Sequence, residues 1–291
     1  MGMLGNFKAL FHTSAKVDVK QRFELLREAI CGTMSDFYMA RDRTNGNIVG
    51  LKVLDREKTE HFESRFKGLK KPSEGEIAKS LIHPNIVKTI EYGATTKGQQ
   101  YIVMEFLDGP GLNSLIVSHN PALEGKRVVY IRQAAKALAA VHKAGYIHRD
   151  ICPRNFVLNR DLSTLKLIDF GLTVPATEQF MQPGNRTGTA NYMAPELVRR
   201  RNTSVRLDIF AFGVTAYELC AGDLPWPRGT GKEAMSHAHV EPTDIFKFCP
   251  MLNPRLAAAI TMCLDVKPEN RPESIEAFLG MFRGVEREDD M

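Results

Sequence analysis

Three short segments concentrate residues of the kinds that bind hard cations and move protons. His148-Arg149-Asp150-Ile151-Cys152-Pro153-Arg154-Asn155 holds a carboxylate and a carboxamide, Asp169-Phe170-Gly171 adds a second carboxylate, and Ala194-Pro195-Glu196 follows. Carboxylate and carboxamide oxygens are ligands that suit Mg²⁺. A carboxylate can also orient a hydroxyl and accept its proton. Upstream, Lys52 is a point charge for anionic oxygens, and the charged stretch after it holds further carboxylates, Glu74 and Glu76 among them. Each residue taken singly has a blander reading. A strand lysine or a helix glutamate usually faces solvent, and aspartate favours turns.

The elements that must position these groups fall into two halves. Phe37 to Ala40 and Ile48 to Leu54 read as strands around the turn Thr44-Asn45-Gly46-Asn47, an Asn-Gly hairpin signal. Arg56 to Leu81 reads as helix with a breaker at Pro72, ended by His83-Pro84-Asn85. Ile86 to Tyr92 and Gln100 to Phe106 read as two more strands. After Asp108-Gly109-Pro110-Gly111 the period changes. Val128 to Ala144, Val205 to Leu219 and Leu256 to Leu264 carry apolar residues at helical spacing. An α+β fold follows: a small strand-rich lobe with one main helix, then a larger helical lobe, joined near 105–111. Ligands favour such clefts.

Composition sets the class. The chain has 291 residues, 43% hydrophobic and 25% charged, as in an ordinary globular protein. No run approaches the ~18 to 20 apolar residues of a membrane helix, so stable membrane insertion is not expected. The N-terminus lacks the apolar run of a secretory signal, and Asn6 stands where a myristoylation signal following Gly2 needs Ser or Thr. The five cysteines are widely spaced without a C-x-x-C pair, which fits a reducing compartment and predicts a cytoplasmic protein. The net charge of +5 is spread along the chain. Its short basic runs, Lys67 to Lys71 and Arg199 to Arg201, read as solvated surface, and no nucleic-acid partner is expected.

The three segments, in this order, resemble the HRDxxxxN, DFG and APE motifs of the eukaryotic-type protein kinases. Val49-Gly50-Leu51-Lys52, Arg206 to Gly213 and Asn270-Arg271-Pro272 extend the resemblance to roughly 23–282. It implies an N-terminal extension at 1–22, an N-lobe at 23–104, a hinge at 105–111, a C-lobe at 112–282 and a tail at 283–291. It implies ATP and Mg²⁺ as cofactors and a protein as the other partner. By the same resemblance Asp150 is the catalytic base, Lys52 meets the α- and β-phosphates, and Glu74 holds Lys52, with Glu76 a second candidate. Asn155 and Asp169 would hold the metal. Ile30, Gly32, Phe37, Gly50, Met104 and Val157 would surround the nucleotide, with Met104 as gatekeeper and the backbones of Glu105 and Leu107 on the adenine edge. Glu196 with Arg271, and Asp208, would have structural roles. Jointly, and in family order, the catalytic reading outweighs the bland one for Lys52, Asp150, Asn155 and Asp169.

Two departures bear on activity. The glycine-rich loop aligns with Ile30-Cys31-Gly32-Thr33-Met34-Ser35-Asp36-Phe37 and keeps only Gly32, which predicts a weaker grip on phosphate, with Asp36 adding negative charge nearby. Phe37 stands for a valine and Gly50 for an alanine, so the bulk of one is expected to fill the space left by the other. Cys152 replaces the lysine expected after the catalytic aspartate, leaving Arg154 as the catalytic-loop cation nearest the γ-phosphate. Arg154 sits as in many tyrosine kinases, whereas Gly188-Thr189-Ala190-Asn191-Tyr192-Met193 resembles the serine/threonine type; the serine/threonine assignment is favoured. The alternatives are a pseudokinase acting as a binding module and, less well supported, a small-molecule kinase. Thr187, next to Arg186, is the candidate phosphosite, its phosphate pairing with Arg149.

Overall fold

The computed structural model describes residues 16–27, 30–31, 34–184, 186–230 and 240–289, except that the side chains of Ile30 and Cys31 lie outside the description. In chain order the elements are α1 Val19–Arg22, β1 Phe23–Leu25, β2 Ile30–Cys31, β3 Ser35–Asp42, β4 Ile48–Leu54, α2 Arg56–Glu63, α3 Glu74–Ser80, β5 Thr89–Ala94 and β6 Gln100–Glu105. They continue with α4 Leu112–Val117, α5 Arg127–Lys143, β7 Tyr146–Ile147, β8 Phe156–Leu158, β9 Leu165–Leu167, β10 Val174–Pro175, α6 Pro195–Val198, α7 Arg206–Ala221, α8 Pro254–Cys263 and α9 Ile275–Met281.

The first lobe is an antiparallel sheet in the order β1-β3-β4-β6-β5, with β2 also on β3. Opposite residues across an antiparallel ladder share a face. Phe37 lies opposite Lys52, Met39 opposite Gly50, and Gly50 opposite Met104, so these side chains face the second lobe. The other face buries Phe23, Ala40, Val49, Leu51, Tyr101 and Val103, with Val17 and Val19 against them. Residues 16–22, expected as an extension, are thus built onto this lobe. Val17 bridges Thr95, and Arg22 binds Asp42 at 2.9 Å and Glu91 at 2.7 Å.

The helical stretch expected over Arg56 to Leu81, with its breaker at Pro72, is two helices, the second starting just after that proline. After α2 a 3-10 turn, Ser64–Phe66, ends the run before Gly68, whose φ is +88°, and α3 starts afresh at Glu74. A capping box starts it: Ser73 Oγ accepts from Glu76 N–H at 3.3 Å, and Glu76 Oε2 accepts from Ser73 N–H at 2.7 Å. The strand expected from Ile86 begins only at Thr89; Ile86 instead bridges Leu167 in the second lobe.

The second lobe is built around α7, in which the residues from Leu207 to Cys220 are all buried. A helix apolar on every side belongs at the centre of a domain. Its one buried aspartate, Asp208, is fully enclosed and accepts from the N–H of His148 at 2.7 Å, the N–H of Arg149 at 2.8 Å and His142 Nε2 at 2.8 Å. Arg271 closes a buried bidentate pair on Glu196 with both contacts at 2.8 Å, the geometry that makes such pairs directional. Both structural expectations are met in these contacts. Among the described residues no helix is long and apolar enough to cross a membrane.

Candidate active site

A strand, a helix and a loop deliver the charged groups to the cleft between the lobes. Lys52 comes from β4, Glu74 from the first turn of α3, and Asp169 from the loop after β9. Lys52 Nζ lies 2.5 Å from Glu74 Oε1 and 3.1 Å from Asp169 Oδ1. Lys52 and Glu74 are buried, whereas the Asp169 side chain is 43% exposed and opens to the cleft. Burial works against the Lys52 ammonium, but Asp169 and Glu74 outweigh it and raise its pKa above the ordinary lysine value. Burial pushes the Glu74 carboxyl up despite the lysine, while Lys52 and the Gly171 N–H overcome burial at Asp169 and hold it below the usual range. Glu76, the second candidate, is exposed and engaged in the cap of α3, so Glu74 alone meets Lys52.

The loop that carries the His148–Asn155 motif is tied together by its own side chains and by Thr189. Asn155 Nδ2 donates to the Asp150 carbonyl at 2.6 Å and to Asp150 Oδ2 at 3.1 Å. Asp150 Oδ1 accepts from both the N–H and the hydroxyl of Thr189, each at 2.8 Å. The preceding Arg149 has φ +70°, a left-handed conformation costing about 1–3 kcal/mol for a residue of this size, and its N–H is fixed by Asp208. Cys152 is buried, its Sγ 3.7 Å from Thr189 Oγ1; burial foremost, with Asp150 adding to it, pushes its thiol up to about 12. It is therefore neither a cation nor a thiolate near neutral pH. Arg154 is exposed on the 3-10 turn Pro153–Asn155, and no described residue pairs with its guanidinium.

The residues expected to face the nucleotide come together in part. Phe37 folds over Gly50: a Cβ there would lie 2.9 Å from Phe37 Cζ and 3.0 Å from Met104 Cγ. The ring thus occupies the volume that the alanine of the motif would need. Met104 is buried beside it, and half-buried Val157 on β8 bridges Gly111 below. In the hinge, Glu105 N–H donates to Lys88 O at 3.0 Å, and the Glu105 carboxylate accepts from Lys166 Nζ at 2.6 Å. No described residue accepts from the Leu107 N–H, which leaves it for a ligand edge. Gly32 and the Ile30 side chain lie outside the described residues. Asp36 lies opposite Val53, so strand alternation turns it to the face away from Lys52. The repulsion expected from Asp36 is corrected accordingly. Thr187 is buried with no partner for its hydroxyl among the described residues.

Two oxygens stand ready for a cation. Asp169 Oδ2 and Asn155 Oδ1 accept from no described donor, while the other polar atoms of both side chains are engaged. Among the described residues no group of three or more His, Cys, Asp or Glu forms a metal cage. Mg²⁺ is commonly held by one or two protein oxygens, with phosphates and water completing its shell, so the donor set fits. A cavity of about 430 Å³ lies elsewhere, in the second lobe between the end of α7 and residues 248–252, and contains none of these groups.

Comparison with known proteins agrees with this geometry. Residues 27–280 match the model of the protein kinase domain. The chain belongs to the protein kinase family. It is similar to a probable serine/threonine-protein kinase of Clostridium acetobutylicum, 32% identical over 92% of this chain and 40% of that one. It is also similar to the serine/threonine-protein kinase pkn3 of Myxococcus xanthus, 30% identical over 88% of this chain and 48% of that one. The serine/threonine-protein kinase PknB of Mycolicibacterium smegmatis is 30% identical over 87% and 41%. The chain spans less than half the length of these relatives. The two-lobed kinase fold expected from the motifs is the fold observed. Contacts that sequence reading missed lie around the motifs: the Glu105–Lys166 clamp on the hinge and the Thr189 hydroxyl on Asp150. The first carries no local sequence signal. The second was half visible, since Thr189 stands in the segment expected to shape the acceptor site.

Proposed function

We propose that this kinase domain transfers the γ-phosphate of ATP to serine or threonine hydroxyls of a protein. The observation that carries the reading is the formed Lys52–Glu74–Asp169 group together with the bonded Asp150, Asn155 and Thr189, joined where the Asn155 carbonyl accepts from the N–H of Ile168, the residue before Asp169. Lys52 would hold the α- and β-phosphates, kept charged and aimed by Glu74. Asp169 and Asn155 would hold Mg²⁺, which when bound neutralises phosphate charge. Asp150 would orient the acceptor hydroxyl and take its proton. Phe37, Gly50, Met104 and Val157 would enclose the adenine, with the Leu107 N–H on its edge. The serine/threonine preference is supported by Thr189, seated on Asp150 where an acceptor must approach, and by the names of the relatives. A cytoplasmic site of action accords with free buried thiols at Cys152, Cys220 and Cys263.

The buried neutral Cys152 in the lysine position favours a second reading, a pseudokinase that binds partners without transfer. Radiolabelled ATP with generic protein substrates, followed by phospho-amino-acid analysis, separates the two. Label on serine or threonine is expected, and it should vanish in Asp169→Asn while the fold persists. No transfer by the parent protein, or undiminished transfer by that variant, would overturn the assignment.

A further inference from the structure

Glycine at position 75 is unexpected on local grounds. It is the second residue of α3, where alanine in an open helix would be favoured by about 1 kcal/mol. The reason lies across the interface with β5. A Cβ at position 75 would fall 2.6 Å from both Cβ and Cγ of Tyr92 and 2.8 Å from its Cδ2. Normal carbon contacts are ~3.5 to 4.0 Å. The Tyr92 Cβ is fixed by the strand backbone, so no rotamer change at Tyr92 relieves the overlap. Helix α3 would have to lift by about 1 Å.

The far end of α3 is tied to the same strand. Lys79 Nζ donates to the Ile90 carbonyl at 2.6 Å and the Thr89 carbonyl at 3.3 Å. The register shift between Thr89 and Glu91 interrupts the ladder with β6 at this place, so both bonds fall at an irregular stretch of β5. The helix is therefore pinned at its last turn and seated by a missing side chain at its first. Any lift at Gly75 is a lever whose moving end carries Glu74, the adjacent residue, bonded to Lys52 at 2.5 Å.

We propose that Gly75 is a positioning residue for phosphotransfer: its close seat on Tyr92 is what lets Glu74 reach Lys52. This rests on the kinase reading above. In turn it makes the Lys52–Glu74 pair a built-in property of the α3–β5 contact.

Steady-state kcat and KM for ATP, with thermal unfolding of each protein, test this in five variants. Gly75→Ala should lower kcat by about 10²-fold, the scale of a 1 Å misplacement, with little change in KM. In a Glu74→Gln background the same change should cost nothing more, because the group it positions is already gone. Gly75→Ala with Tyr92→Gly, which moves the glycine across the contact, should restore most of the lost turnover. Lys79→Met, which leaves the seat intact, should lower kcat by loosening the pinned end, and it provides the test if Gly75→Ala fails to fold. Parent-like kcat in Gly75→Ala, equal losses with and without Glu74, or no recovery in the Tyr92→Gly combination would each overturn the proposal. So would parent-like kcat in Lys79→Met. An inactive parent protein refutes the kinase reading itself; an active parent with indifferent variants refutes only the role of Gly75.

Discussion

The Phe37–Gly50 exchange makes a quantitative prediction about nucleotide binding. Gly50→Ala places a methyl 2.9 Å from Phe37 Cζ and 3.0 Å from Met104 Cγ, inside the ~3.5 to 4.0 Å at which carbons normally rest. Met104 is buried whereas Phe37 is half-buried, so the ring has the freer way out. The ring sits on the cleft face of the sheet, and its way out is into the space where the adenine would lie. Overpacking of this kind costs about 1–3 kcal/mol. If that cost falls on the bound state, ATP affinity drops by about 5- to 150-fold at 1.4 kcal/mol per tenfold. Phe37→Val alone leaves a void over the pocket and should also weaken binding. The double variant restores the valine–alanine pair of the family motif and should return close to parent affinity. Titration calorimetry with ATP and Mg²⁺ reads all four proteins. Parent-like affinity in Gly50→Ala, or a double variant no better than Gly50→Ala alone, would refute the compensation.

Three further outcomes are expected. Arg154→Ala should lower turnover by roughly 10²-fold or more if its exposed guanidinium takes the place of the missing lysine, by analogy with loss of an oxyanion donor; parent-like turnover in phosphotransfer assays removes that role and leaves the kinase reading standing. Thr187→Ala should keep parent turnover, because the Lys52–Glu74 pair and the seat of Thr189 on Asp150 are formed with an unmodified, buried Thr187; loss of turnover, with phosphate found on Thr187 by mass spectrometry, would reinstate the phosphorylation switch. Asp208 is enclosed by the protein, which raises its pKa, but its bonds to His142 and the catalytic-loop N–H groups win and hold it below the ordinary 3.8. The unfolded chain therefore takes up that proton first. The stability this carboxylate adds is complete above the ordinary aspartate range and is lost as pH falls through it towards the lower folded value. Urea unfolding of Asp208→Asn across an acid series should show a shallower loss with falling pH than the parent; equal slopes would count against it.

The motif residues were legible because each is a short polar cluster in fixed order, and chemistry of that kind is written locally. Lys52 meets Asp169, Asp150 meets Asn155, and Arg271 meets Glu196. The choice between Glu74 and Glu76 was also written in the sequence, since Ser73 and Glu76 have capping-box spacing, which diverts the second glutamate to the backbone. The breaker at Pro72 marked the start of α3, but a continuous charged pattern hid the earlier end of α2 and the point where Gly68 takes positive φ. The Gly75–Tyr92 seat and the Glu105–Lys166 clamp depend on pairing between segments far apart in the chain. No local period carries that information. The packing of residues 16–22 on the first lobe escaped for the same reason: Arg22 finds Asp42 and Glu91 only once the sheet exists.

The anchoring of the catalytic loop on α7 has a kinetic corollary. The amide protons of His148 and Arg149 are bound by a carboxylate that lies at the centre of the second lobe, on a helix buried all round. Such a helix has no stable form outside the assembled lobe. Solvent can reach those two amides only when the lobe as a whole opens, so their exchange belongs to the slowest class in the molecule, while loops on the surface exchange through small local fluctuations. The geometry around Asp150 is then an all-or-none property of the lobe. A partly unfolded molecule keeps none of it, and a destabilising change far from the cleft would reduce the number of active molecules while leaving the turnover of each survivor as it was.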